Sequence, residues 1–192
     1  MSGNYLPPNP FAEWVGRTTL RLMGWRIEGE LPKLDKFVVI GAHHTSNWDF
    51  VLFLAAKFVL RINARWFGKH TIFRWPFNNL LQRWGGIPVR RHLKLNMVDQ
   101  AIQGFRDNSQ FMLILSPEGT RKKVERWKMG FYHIACGAGV PIVLGALDYA
   151  EKRIVIGPAF QPTGDQAADL RAMLDFFRPY PPKKPECAFY GD

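Results

Sequence analysis

KFVVIGAHHTSNWDFVLFLAAKFVL, residues 36–60, is the stretch that decides the architecture. The run FVVI carries no polar break and predicts a buried strand ending near Ala42. The next residues, HHTSNWD, are polar and place a loop there. From about Trp48 to Leu60 the pattern is helical. A buried strand that leaves through a polar loop into a helix is the building unit of an α/β domain.

The same alternation extends outward in both directions. Upstream, FAEWVGRTTLRLMGW (residues 11–25) sets Phe11, Trp14, Val15, Leu22 and Trp25 roughly on one side, with Arg17 and Arg21 among the rest, which predicts an amphipathic helix. WRIEGE predicts a short first strand. Downstream, FGKHTIFRWPFNNLLQRWGG reads as a turn, a short apolar element and a helix stopped by Gly85 and Gly86, and IPVRR as a brief strand. LNMVDQAIQGFRDN is helical, and FMLILS is a strand buried on both faces. KMGFYHIACGAG is a helix, VPIVLGALDY and KRIVIGPAF are strands, and TGDQAADLRAMLDFF is a last helix capped by Thr163 or Asp165. The sum is a single α/β domain over residues 1–192: a mixed, mostly parallel sheet flanked by helices, with an N-terminal amphipathic helix.

The 192 residues carry a formal net charge of +10 and 47% hydrophobic residues, which excludes a disordered chain and favours an anionic partner. From Arg61 to Met97 there are Arg61, Arg65, Lys69, Arg74, Arg83, Arg90, Arg91 and Lys94 with no acidic residue, and Trp66, Trp75 and Trp84 lie among them. Cations interleaved with tryptophan suit a lipid headgroup layer. No apolar run reaches the roughly 18 residues of a membrane-spanning helix, so membrane contact is expected to be peripheral. The opening MSGNYLPPNP does not have the pattern of a signal peptide. Cys136 and Cys187 lack metal-ligand spacing and point to a reducing compartment, with Cys136 expected as a small core residue.

Three polar loops leave predicted strand ends: HHTSNWD, the VRRH stretch and SPEGTRKK. Ligands of open α/β sheets collect there. His44 and Asp49 admit three readings. Asp49 can fold back on the imidazole, fixing its tautomer and leaving a base. Ser46-x-x-Asp49 also has the form of a capping box. His43, His44 and Asp49 are all metal-ligand types, but their spacing matches no standard zinc pattern. SPEG fits a type I turn, while Thr120, Arg121, Lys122 and Lys123 beyond it, with Arg91 from the neighbouring loop, can bind phosphate. No Gly-x-Ser-x-Gly elbow, P-loop or Gly-x-Gly-x-x-Gly occurs, which leaves serine hydrolases and nucleotide cofactors without support.

Taken in order, HHTSNWD, GGIPVRR, PEGTR and VPIV resemble the four motifs of the glycerophospholipid acyltransferases, the 1-acylglycerol-3-phosphate acyltransferase family, over about residues 36–150. The resemblance implies acyl transfer from acyl-CoA or acyl carrier protein to the hydroxyl of a lysophospholipid-like acceptor. It implies His44 as base and Asp49 as its orienting group. Arg91, Glu118, Gly119, Thr120 and Arg121 would hold the acceptor, with Lys69 as a further phosphate contact. It implies no metal and no organic cofactor, and a cytoplasmic protein lying on the inner face of a membrane. Arg90 stands where the family commonly has Asp, and Pro88 where a large apolar residue is frequent, so the headgroup is expected to differ from plain glycerol phosphate. The competing expectation from charge alone is a non-enzymatic basic protein that binds anionic membranes or nucleic acid, although no recognised nucleic-acid module accompanies the charge.

Overall fold

The computed structural model describes residues 4–89 and 94–191. The first helix, α1, spans Pro10–Met23. Asn9 caps it by accepting the Ala12 N–H at 3.0 Å, and Gly24 closes it in the left-handed region at φ 72°. β1 is Arg26–Glu28, β2 is Lys36–Ala42 and α2 is Trp48–Leu60. β3 is Ala64–Lys69, α3 is Asn78–Arg83 and β4 is Gly86–Val89. α4 follows at Lys94–Asp107, β5 at Phe111–Leu115 and α5 at Gly130–Ala138. β6 (Ile142–Asp148) and β7 (Arg153–Phe160) form a hairpin, and α6 is Gln166–Phe177 with Asp165 as its cap.

These strands form one seven-stranded sheet in the order β1-β7-β6-β2-β5-β3-β4. Every neighbouring pair is parallel except β6–β7. Side-chain alternation divides the core. Val38, Ile40 and Ala42 of β2 join Leu113, Ile142 and Leu144 against residues of α4, α5 and α6. Phe37 and Val39 face the other way with Ile62, Met112 and Val143. A third cluster, Leu20, Trp25, Leu52 and Ala55, seats α1 on α2. The two helices approach closely because Gly16 has no Cβ; one there would lie 2.7 Å from the Ala55 carbonyl oxygen.

Three expectations are corrected. Trp25 is buried beyond the helix, so the outward apolar face of α1 is Phe11, Trp14 and Leu22, 73%, 61% and 82% exposed. Trp66 is buried and donates its indole N–H to the Trp84 carbonyl at 3.1 Å, so it is a core residue and not a surface aromatic. Cys136 is exposed.

Lys57, on α2, is buried with its ammonium on the Ile62 carbonyl at 2.6 Å and the Ala64 carbonyl at 3.3 Å. It ties the end of α2 to the start of β3. Burial, aided by the nearby Arg65 charge, lowers its pKa to about 8. Below that value both folded and unfolded chains carry the proton, and folding bears the cost of a buried charge. Above it the folded chain sheds the proton while the unfolded chain keeps it to about 10.5. Stability is therefore expected to rise with pH across that window. Urea unfolding at pH 7.5 and 9.5 should show the rise in the wild type and a smaller one in Lys57→Met.

Candidate active site

Parallel register brings the polar loops together. Ile40 of β2 pairs with Leu115 of β5, and Ala42 pairs with Ala146 of β6. The segments that follow, from His43, from Ser116 and from Tyr149, therefore leave the sheet at one carboxyl edge. Trp66 of β3 pairs with Ile114, which carries exposed Lys69, three residues on, to the same edge.

His44 Nδ1 lies 3.1 Å from Asp49 Oδ2. The same oxygen accepts the main-chain N–H groups of Thr45 at 2.9 Å and Ser46 at 2.8 Å. An ionised carboxylate only accepts, so Nδ1 carries the proton and Nε2 keeps its lone pair. The histidine side chain is 27% exposed, and its acid is buried. Burial opposes the charge on Asp49, yet hydrogen bonds from His44, Tyr149 and Ser46 and the attraction of the imidazole together hold its pKa below the ordinary carboxylate value. Ser46 Oγ in turn accepts the Trp48 N–H at 3.2 Å. Half of the capping box forms: an Asp49 oxygen takes the Ser46 N–H and also meets the imidazole, while the Ser46 hydroxyl accepts from Trp48 in place of Asp49.

Glu118 is placed differently from the expectation. Its side chain is 1% exposed. Oε2 accepts the His44 main-chain N–H at 2.7 Å and the Ser116 hydroxyl at 3.1 Å, while Oε1 faces His43 Nδ1 at 3.3 Å. Turned inward on the two histidines, it braces the His44 loop instead of facing an acceptor. His43, equally buried, packs its ring 4.8 Å from that of Tyr190 and is not available to a ligand.

The rest of the expected set is divided. Gly119 adopts φ 63°, and its N–H closes the turn on the Ser116 carbonyl at 3.2 Å. Thr120 accepts the Lys122 N–H at 3.3 Å and is half-buried, and Arg121, Lys122 and Lys123 are exposed. Arg91, with Arg90 and the VRRH stretch, lies outside the described residues; β4, which precedes it, ends at Val89. A cavity of about 350 Å³ opens near Asn63, Asn108 and Gln110, at the opposite end of the strands from His44.

Sequence reasoning missed Tyr149. Its hydroxyl donates to Asp49 Oδ1 at 2.5 Å across a separation of 100 residues. It also missed the carboxyl-terminal segment, where the Lys184 N–H donates to Thr45 Oγ1 at 3.2 Å and the Lys183 ammonium lies 5.3 Å from the Trp48 ring centroid.

Fold and site together define an α/β domain with an imidazole tied to a buried carboxylate at the carboxyl edge of its sheet. The Acyltransferase family model matches residues 25–144, well over half of the sequence, and the chain belongs to that family. Among solved structures, the 1-acyl-sn-glycerophosphate (LPA) acyltransferase PlsC from Thermotoga maritima shares the fold. It superposes with a TM-score of 0.60 at 19% identity, over 86% of this chain and 74% of that one. A search of curated proteins returned no match.

Proposed function

We propose that this acyltransferase moves a fatty acyl group from an acyl-CoA or acyl carrier protein thioester to the hydroxyl of a lysophospholipid-like acceptor. The observation that carries the reading is the His44–Asp49 pair, with Nε2 open at the edge where the polar loops converge. Nε2 accepts the hydroxyl proton as the oxygen attacks the thioester carbonyl carbon. The tetrahedral oxyanion then collapses, the carbon–sulfur bond breaks, and the thiolate leaves with the proton returned from the imidazolium. Products are the ester and the free thiol. The thioester supplies the driving force, so the step calls for no metal or cofactor. Arg91, Arg121 and Lys69 supply cations for the acceptor phosphate, Thr120 a hydroxyl, and Gly119 the turn that presents them. Arg90 adds a further cation beside that phosphate.

The acceptor is a membrane lipid, and the protein works on the inner, cytoplasmic face of a membrane. Phe11, Trp14 and Leu22 stand outward on α1 near Arg17 and Arg21, and Trp75, beside Arg74, is 92% exposed. Among the described residues no helix is long and apolar enough to cross a membrane. A purely basic binding protein would account for the charge but has no use for an imidazole tied to a buried carboxylate.

Free thiol release tests the reading. Palmitoyl-CoA is mixed with lysophospholipids of different headgroups in anionic vesicles, and release is expected only when an acceptor is present. Trp14→Glu with Leu22→Glu should slow the vesicle reaction several-fold and spare a short-chain, water-soluble acceptor. No release with any donor or acceptor, acyl carrier protein thioesters included, would overturn it.

A further inference from the structure

We propose that Tyr149 is a positioning residue for the acyl transfer, holding the Asp49 carboxylate so that its other oxygen serves His44. The inference rests on the His44–Asp49 reading and extends it to a residue beyond residues 25–144, where the family model matches.

The two oxygens of Asp49 are not equivalent. Oδ2 is occupied by His44 Nδ1, Thr45 N–H and Ser46 N–H. Oδ1 receives the Tyr149 hydroxyl at 2.5 Å. Asp49 is buried, so without that hydroxyl half of its charge would face no donor from the tyrosine side. Two unconnected parts of the chain fix the tyrosine itself. Trp25, just past α1, packs edge-on to its ring at 4.8 Å and 82°, and the Pro181 carbonyl accepts its main-chain N–H at 2.9 Å. The hydroxyl keeps its proton throughout, because burial and the Asp49 hydrogen bond push its pKa far above the usual tyrosine value. It therefore acts as a fixed donor and not as a second base. Tyr149 meets the carboxylate on the oxygen opposite the imidazole.

Among the described residues, the charged groups that meet the segments around the pair are Glu118, Lys183 and Lys184. Glu118 grips the His44 main chain and faces His43, Lys184 bonds Thr45 through its backbone, and Lys183 stands over Trp48. None of these contacts falls on Asp49 Oδ1, so removing the tyrosine hydroxyl perturbs that oxygen first.

The test is Tyr149→Phe in the full chain, assayed by thiol release from palmitoyl-CoA with a lysophospholipid in vesicles, beside wild type and His44→Ala. Expected is a fall in kcat of about tenfold, the scale of one charge-assisted hydrogen bond, with acceptor KM unchanged. The acid limb of kcat/KM moves to higher pH, because a carboxylate stripped of a donor holds a proton on its imidazole partner more strongly. A downfield Nδ1 proton resonance, identified by its loss in His44→Ala, shifts in Tyr149→Phe. Unchanged kcat, limb and resonance, with His44→Ala inactive, would overturn the role of Tyr149 alone. Equal losses of kcat and melting temperature without movement of limb or resonance would reduce it to a packing residue and overturn the proposal. Full activity in His44→Ala would overturn both the proposal and the functional reading beneath it.

Discussion

His44→Ala is expected to lose about 10³ of the acyl-transfer rate while its fold stays intact. The two halves of that expectation come from different contacts. Rate is lost because Nε2 is the open nitrogen of an imidazole whose other nitrogen is engaged by Asp49 at 3.1 Å. Stability is kept because Asp49 retains Thr45 N–H, Ser46 N–H and the Tyr149 hydroxyl when the ring is gone. No buried charge is stranded, and the truncated side chain was partly in solvent. Acceptor KM should change little, since the proposed phosphate contacts Lys69 and Arg121 belong to other segments of the chain. Asp49→Asn separates itself from this result. The new amide presents either its NH₂ to backbone donors or its oxygen to them with the NH₂ towards Tyr149. In the second case the tyrosine hydroxyl must accept and turn its own proton away from the amide, so the variant should lose stability as well as rate. Thiol-release kinetics and thermal melting of both variants check the pair. His44→Ala retaining more than roughly a tenth of the wild-type rate contradicts the assignment of the base.

How far residues alone reach is clearest where a local rule is strong. The strand at Phe37–Ile40 and the bounds of α2, Trp48 to Leu60, follow from an unbroken apolar run and a polar loop with capping residues, and the structure has them there. The convergence of loops follows from parallel strands alone. β3 escaped the reading because ARWFGK alternates burial residue by residue, with Arg65 and Lys69 exposed and Ala64, Trp66 and Gly68 inside. A strand with two cations and a tryptophan reads as basic surface until its neighbours are known. Tyr149 was illegible for a different reason. Its partner lies 100 residues earlier, and only the pairing of β6 with β2 brings them together. The inward turn of Glu118 was hidden by its own loop, because a Ser-Pro-Glu-Gly turn reads as surface and family resemblance reinforced that.

That inward turn has the second large consequence. Glu118→Ala is expected to lower kcat by about 10²-fold and to destabilise the protein by about 2 kcal/mol, with acceptor KM nearly unchanged. Truncation strips the His44 N–H of its 2.7 Å acceptor and Ser116 of its 3.1 Å partner, and opens a void beside His43. The imidazole then sits on a backbone no longer fixed to β5. Glu118→Gln should behave otherwise. Its amide oxygen can accept from His44 N–H and Ser116, and its NH₂ can reach towards His43 Nδ1, 3.3 Å from Oε1 in the wild type. Shape and polarity are kept and only the charge is lost, so most of kcat and of the stability should survive. An acceptor-binding glutamate predicts the opposite pattern: KM rises in both variants, and stability falls in neither, because a carboxylate facing substrate supports no backbone. Steady-state kinetics over acceptor concentration, together with urea unfolding of the two variants, separates the strut from the ligand. A large rise in KM for Glu118→Gln at unchanged stability would return this residue to the acceptor site.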